Sequence, residues 1–379
     1  MLSKVLARAC LIRRRIFGSG ARPRAGPRPL SSSSPPPTIF VTHDTFPEVY
    51  ALLAAHGLRV LRNDSGATLP PARVRELAAD ADGLLAFMPD RVDAAFLAAA
   101  PRLRIVAAAL KGGDNFDLGA MRARGVVFTK VPELLTHPTA ELAVSLATAL
   151  ARRVPEGDAH VRSGTFAGWR PILFGRGLAD ATIGIVGLGA VGRGVLERVA
   201  GFAPREVLFV DPDPRARDFA AEWARARAAL TPAPKLRECA TLDELLAASD
   251  FVFPLTHLTS ETRRLIGARE LALMRPGAFL VNVGRGGCVD EAAVAEALAR
   301  GRLAGYAADV FELEDWAIAD RPRDIPAALL RDTARTLFTP HLGSAVVEVR
   351  RAIALEAAEN IVDHFVRGVR PRGAVDGAA

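Results

Sequence analysis

Three polar residues stand where apolar runs end: Arg285 in NVGRGG, Glu314 in ADVFELED and His341 in FTPHLGSA. A guanidinium holds an anion through paired N–H donors. An imidazole moves a proton near neutral pH, and a carboxylate beside it fixes which ring nitrogen carries that proton. Together the three could bind an oxyanion and exchange a proton with it. Singly, each has a plainer explanation, since an Arg at a strand end often makes a surface ion pair, a loop acid is usually solvated and a His before Leu-Gly can cap a turn. A second signal is GIVGLGAVG, in which Gly187, Gly189 and Gly192 follow an apolar run and open an amphipathic stretch; Asp211 ends the next apolar run, 19 residues after Gly192. This spacing suits a dinucleotide. The first Gly permits a tight turn, the second lets the main chain approach a pyrophosphate, the third lets helix pack on strand, and Ala190 and Val191 open the positive helix end. An acid at the position of Asp211 accepts from ribose hydroxyls and repels a 2′-phosphate, so NAD is expected rather than NADP.

The elements that must position these residues follow from the patterning. From Thr38 the short apolar runs TIFVTH, LRVL, GLLAFM and RLRIVAAAL alternate with amphipathic stretches around PEVYALLAAHG and PARVRELAAD. A second series runs from ATIGIVG through EVLFV, DFVF, AFLVNV and GYAADV to TLFTP. Alternating strands and helices imply parallel sheets, whose ligands bind beyond the carboxyl ends of the strands. The expected fold is α/β with two doubly wound parallel-sheet domains. A Rossmann NAD-binding domain of residues 135–340 is inserted into a flavodoxin-like substrate domain of residues 38–134 and 341–379, with hinges near 135–140 and 340–345.

Composition narrows the function classes. The chain has 379 residues, 50% apolar and 24% charged, with three Cys, which excludes disorder and a disulfide-built mini-domain. Cys10, Cys239 and Cys288 are isolated, so no metal site is expected. The formal charge of +7 sits at the amino end: residues 1–37 hold eight Lys or Arg and no acid, against 41 basic and 42 acidic residues in the remainder. A nucleic-acid partner is therefore not expected, and no apolar run approaches the roughly 20 residues of a spanning helix, so neither is a membrane. As an ideal helix, Leu2, Val5, Leu6, Ala9, Ile12, Ile16 and Phe17 share one arc opposite Lys4, Arg8, Arg14 and Arg15, and SSSSPPP follows. This is the pattern of a transit peptide over residues 1–37. Mitochondrion is the expected address, with plastid, or the cytoplasm if the extension is not translated, as alternatives.

The order of these motifs over nearly all of residues 38–370 resembles the D-isomer-specific 2-hydroxyacid dehydrogenase family. The resemblance implies that Arg285 binds the substrate anion, Glu314 fixes the tautomer of His341, and His341 exchanges a proton. It adds Thr139, Asp309 and Gly343 on the cofactor side and implies a homodimer. A narrower resemblance, to the phosphonate dehydrogenase branch, is carried by AFMPDRVD, LKGGDNFD, VPELLTHPTAEL, VRSGTFAGW, GYAADVFELEDWA and FTPHLGSAV. It implies NAD-dependent oxidation of phosphite to phosphate with water as nucleophile, Lys111 and Arg285 holding the anion, Arg350 as a third cation and Met88 lining the site. Trp169 and Trp316 are candidates to shield the crevice. Phe174, where that branch has Tyr, and Leu258, where it has Pro, depart from the pattern. The alternatives are a glyoxylate or hydroxypyruvate reductase using the same trio on a carbonyl and, from another class, an NAD-sensing protein-binding module.

Overall fold

The computed structural model describes residues 35–227, 234–315, 318 and 320–375. The cationic amino-terminal segment and Trp316 lie outside them.

The first domain runs β1 (Thr38–Val41), α1 (Pro47–Ala55), β2 (Arg59–Arg62), α2 (Pro71–Ala78), β3 (Gly83–Ala86), α3 (Ala94–Ala99), β4 (Ile105–Ala108), α4 (Leu118–Ala123) and β5 (Val127–Thr129). Its sheet is parallel throughout, in the order β2-β1-β3-β4-β5. Short apolar runs such as GLLA and IVAA are buried along their whole length, as strands covered by helices on both faces must be. The edge strand RVLR instead turns Arg59 and Arg62 to solvent, which discourages further pairing.

Helices α5 (Thr136–Ala151) and α6 (Val154–Arg162) lead into the second domain. It continues β6 (Thr182–Val186), α7 (Ala190–Val199), β7 (Glu206–Val210), α8 (Pro214–Arg227), β8 (Lys235–Glu238), α9 (Leu242–Ala248), β9 (Phe251–Pro254), α10 (Ala268–Leu273), β10 (Ala278–Asn282), α11 (Glu291–Ala299), β11 (Leu303–Ala308), α12 (Ala327–Arg331) and β12 (Thr336–Phe338). The seven strands lie parallel in the order β12-β11-β10-β9-β6-β7-β8. The order reverses between β6 and β9, the switch point at which open sheets of this kind receive ligands.

Each sheet has an apolar core on both faces. Ala140, Ala143, Val144, Ala147 and Leu150 of α5 join the core of the second domain. Ile353, Ala354, Ala357, Ala358 and Ile361 of the last helix, α13 (Val347–Val362), join that of the first. The chain therefore crosses between domains just before α5 and just before α13. Among the described residues no helix is long and apolar enough to cross a membrane, and no group of three His, Cys, Asp or Glu is arranged to hold a metal ion.

Candidate active site between the two sheets

The nucleotide turn follows β6. Gly187 has φ +95°, a conformation that other residues adopt only under strain, and Gly189 caps α7 with open space where a Cβ would stand. A Cβ on Gly192 would strike the carbonyl of Gly187, so this helix packs on the turn only with glycine there. Asp211, at the end of β7, accepts from the Leu188 N–H through Oδ2 (2.7 Å) and from the Asp213 N–H through Oδ1 (2.8 Å), which fixes its carboxylate beside the turn. The open cradle, the free helix start and the anchored acid fit a dinucleotide. Asp211→Ala is expected to raise the KM for NAD by about 10- to 100-fold and to improve NADP relative to NAD, measured by steady-state titration with both cofactors.

Arg285, Glu314 and His341 follow three neighbouring strands, β10, β11 and β12. Buried Asn282, the last residue of β10, donates to the Arg285 carbonyl (3.0 Å) and accepts from the Gly284 N–H (3.1 Å), so the arginine turn is braced from inside. Gly286 lies directly on the backbone of Phe311 and Glu312, where any Cβ would collide. Glu314 occupies the next turn: Oε1 accepts from the Phe311 N–H (2.8 Å) and Oε2 meets His341 Nδ1 at 2.6 Å. Behind that turn Glu291 and Glu312 exchange carboxylate–amide bonds, Glu312 N–H to Glu291 (2.7 Å) and Glu291 N–H to Glu312 (3.3 Å). Burial is the main cause that pushes the Glu291 carboxyl up to about 7.

His341 adopts φ +56°, and its loop is built around Asp309. The buried carboxylate of Asp309 accepts from Thr339 Oγ1 (2.6 Å), Leu342 N–H (2.6 Å) and Gly343 N–H (2.8 Å). Gly343 stands against Thr139 and Asp309, so these three gather where the chain crosses between domains. Both oxygens of Asp309 are thus committed to holding the histidine loop, and burial raises its pKa.

Arg285, Glu314 and His341 line one cleft, together with Met88, Leu110, Gly112, Asp114, Asn115 and Phe116 of the first domain. Leu258, Gly286, Val310 and Asp315 complete it from the second. The sequence reading missed the two acids. Arg285 Nε donates to Asp114 Oδ2 across the domains (3.3 Å), and Asp315 Oδ2 accepts from the Gly287 N–H (2.6 Å). Lys111 is not part of the lining; burial, then the nearby Arg285 and Lys130, lower its pKa. Arg350 donates to Ser344 Oγ (3.3 Å) and is likewise not in the lining. Trp169 is 84% exposed, and Phe174 lines a separate concavity beside α5, far in sequence from the cleft residues. Among the described residues the backbone N–H groups of Lys111, Gly112 and Gly113 have no protein acceptor.

Residues 144–343 match the D-isomer specific 2-hydroxyacid dehydrogenase, NAD binding domain. The chain belongs to the D-isomer specific 2-hydroxyacid dehydrogenase family. It is similar to the glyoxylate reductase of Aeropyrum pernix, 36% identical over 345 residues that cover 90% of this chain and 96% of that protein. The glyoxylate reductase of Thermococcus litoralis is 36% identical over 309 residues, 80% of this chain and 85% of the relative. Among solved structures, the NADPH-dependent glyoxylate/hydroxypyruvate reductase of Sinorhizobium meliloti superposes with a TM-score of 0.72 at 26% identity, covering 89% of this chain and 97% of that one. As a member of the 2-hydroxyacid dehydrogenase family, the chain is an oxidoreductase whose second domain binds NAD.

These findings overturn the expectation of phosphite oxidation by a phosphonate dehydrogenase. Several relatives that match most of the chain are glyoxylate reductases, in agreement with the alternative drawn from the same trio. The cleft supplies a physical reason. A compact dianion without a carbon handle needs a surplus of positive charge, but Arg285 already shares its guanidinium with Asp114, and Asp315 adds a second carboxyl to the cleft.

Proposed function

We propose that this enzyme catalyses the NAD-dependent interconversion of a small 2-oxo acid of the glyoxylate or hydroxypyruvate class and its 2-hydroxy acid. The observation that carries this reading is the 2.6 Å contact between His341 Nδ1 and Glu314 Oε2 in a cleft shared with Arg285. An ionised carboxylate only accepts, so Nδ1 carries a proton and Nε2 is left to serve the substrate. The imidazolium is the form that protonates a carbonyl oxygen as an alcohol forms; in the reverse direction the neutral ring takes that proton.

Arg285 Nε and Nη1 are engaged by Asp114 and the Gly284 carbonyl, while Nη2 lies over Gly112, where a side chain would collide. Nη2 and the free N–H groups of residues 111–113 form the set of donors offered to a substrate carboxylate. When bound, the nicotinamide supplies or accepts the hydride. The apolar walls Met88, Leu110, Phe116, Leu258 and Val310 limit water around the reacting carbon. The homodimer remains part of the proposal, supported by Val154, Val161, Phe166, Trp169, Ile172 and Phe174, an exposed apolar strip on the segment that enters the second domain.

The purified enzyme is expected to consume NADH with glyoxylate and with hydroxypyruvate, followed at the NADH absorbance band. Failure to oxidise NADH with either acid, at any pH from 6 to 8, overturns the assignment.

A further inference from the structure

Inside the cleft one guanidinium faces two carboxyl groups from opposite domains. Asp114 reaches Arg285 Nε from the first domain, and Asp315, held by the Gly287 N–H, stands next to Glu314 in the second. Arg285 is the only Lys or Arg among the described residues of the lining. Its free donors suffice for one substrate carboxylate. Most of the remaining wall is apolar, and the side-chain amide of Asn115 already donates to the Met88 carbonyl (3.0 Å). Lys111 stands near Arg285 but outside the lining, so a second anionic group on the substrate would meet the carboxyl groups of Asp114 and Asp315 in a partly desolvated space, where like charges repel strongly.

We propose that Asp315, with Asp114 on the opposite wall, is a specificity-determining residue that restricts the enzyme to 2-oxo acids bearing a single negative charge. This rests on the 2-oxo acid reading above and deepens it. Burial is the main cause that pushes the Asp315 carboxyl up to about 6; Glu314 and Asp114 push the same way, and the Gly287 N–H and Arg285 oppose them. At pH 8 the group is ionised, so the filter is tested there.

The test compares kcat/KM for glyoxylate, pyruvate and hydroxypyruvate with that for oxaloacetate and 3-phosphohydroxypyruvate at pH 8, in the wild type, Asp315→Asn and Asp315→Glu. Asparagine keeps an acceptor for the Gly287 N–H and removes the charge, whereas glutamate keeps the charge. The ratio of multiply to singly charged substrates is expected to rise about tenfold or more in Asp315→Asn and to remain low in Asp315→Glu. Competitive inhibition by oxalate and by its singly charged isostere oxamate gives the same comparison without turnover, so a slow variant is still informative. A ratio that Asp315→Asn leaves unchanged in both measurements, or a wild type that prefers the multiply charged acids, overturns the filter. A wild type inactive on every one of these acids instead defeats the reaction assignment itself.

Discussion

His341→Ala is expected to lower kcat by about 10²- to 10⁴-fold, the range over which a positioned acid–base group contributes. The loss should fall on turnover more than on the KM for the acid, because Arg285 and the main-chain donors remain. NADH binding, followed by fluorescence, should stay near the wild-type value, since the nucleotide turn after β6 is built from Gly187, Gly189, Gly192 and Asp211, none of which the substitution alters. Glu314→Gln should lower kcat in the same direction but less: the amide oxygen can still accept from Nδ1, yet an amide that also donates no longer dictates which ring nitrogen carries the proton. Turnover within tenfold of wild type in His341→Ala would remove that residue from the proton-transfer role.

Arg285→Ala is expected to reduce kcat/KM for glyoxylate by about 10²- to 10⁴-fold, the loss of one or two charge-assisted hydrogen bonds of about 1.5–3 kcal/mol each. The larger share should appear in KM, since the carboxylate is bound in the ground state as well as in the transition state. Arg285→Lys should recover little, because the guanidinium serves Asp114, the Gly284 carbonyl and the cleft at once through donors fixed in one plane. The same loss for an acid and for its uncharged amide would show that Arg285 does not bind the carboxylate.

Much of this arrangement was legible in the residues. ATIGIVG, AFLVN and GYAA are runs that only a covered parallel strand can bury, and the structure places strands there at Thr182–Val186, Ala278–Asn282 and Leu303–Ala308. The candidate trio stands out because each member lies just past such a run, at the end of a sheet where ligands bind. Helix α5 begins at Thr136 with no sequence signal for its start, since Leu135 offers no capping side chain. The sign of the cleft was not legible. The sequence offers Lys111 and Arg350 as cations, but the field in a cleft is a sum over both domains, and Asp114 and Asp315 look like ordinary loop acids until the fold brings them to the cleft of Arg285. Asn282 was hidden for a similar reason: its value lies in two main-chain bonds that a strand pattern does not announce.

The contact of Gly286 with Phe311 and Glu312 brings backbone directly onto backbone. The separation between Arg285 and the turn that carries Glu314 is therefore measured in peptide units, with no intervening side chain whose size could drift. Sequence divergence around this seam can proceed freely in the cores on either side, so long as one position keeps nothing but hydrogen on its α-carbon.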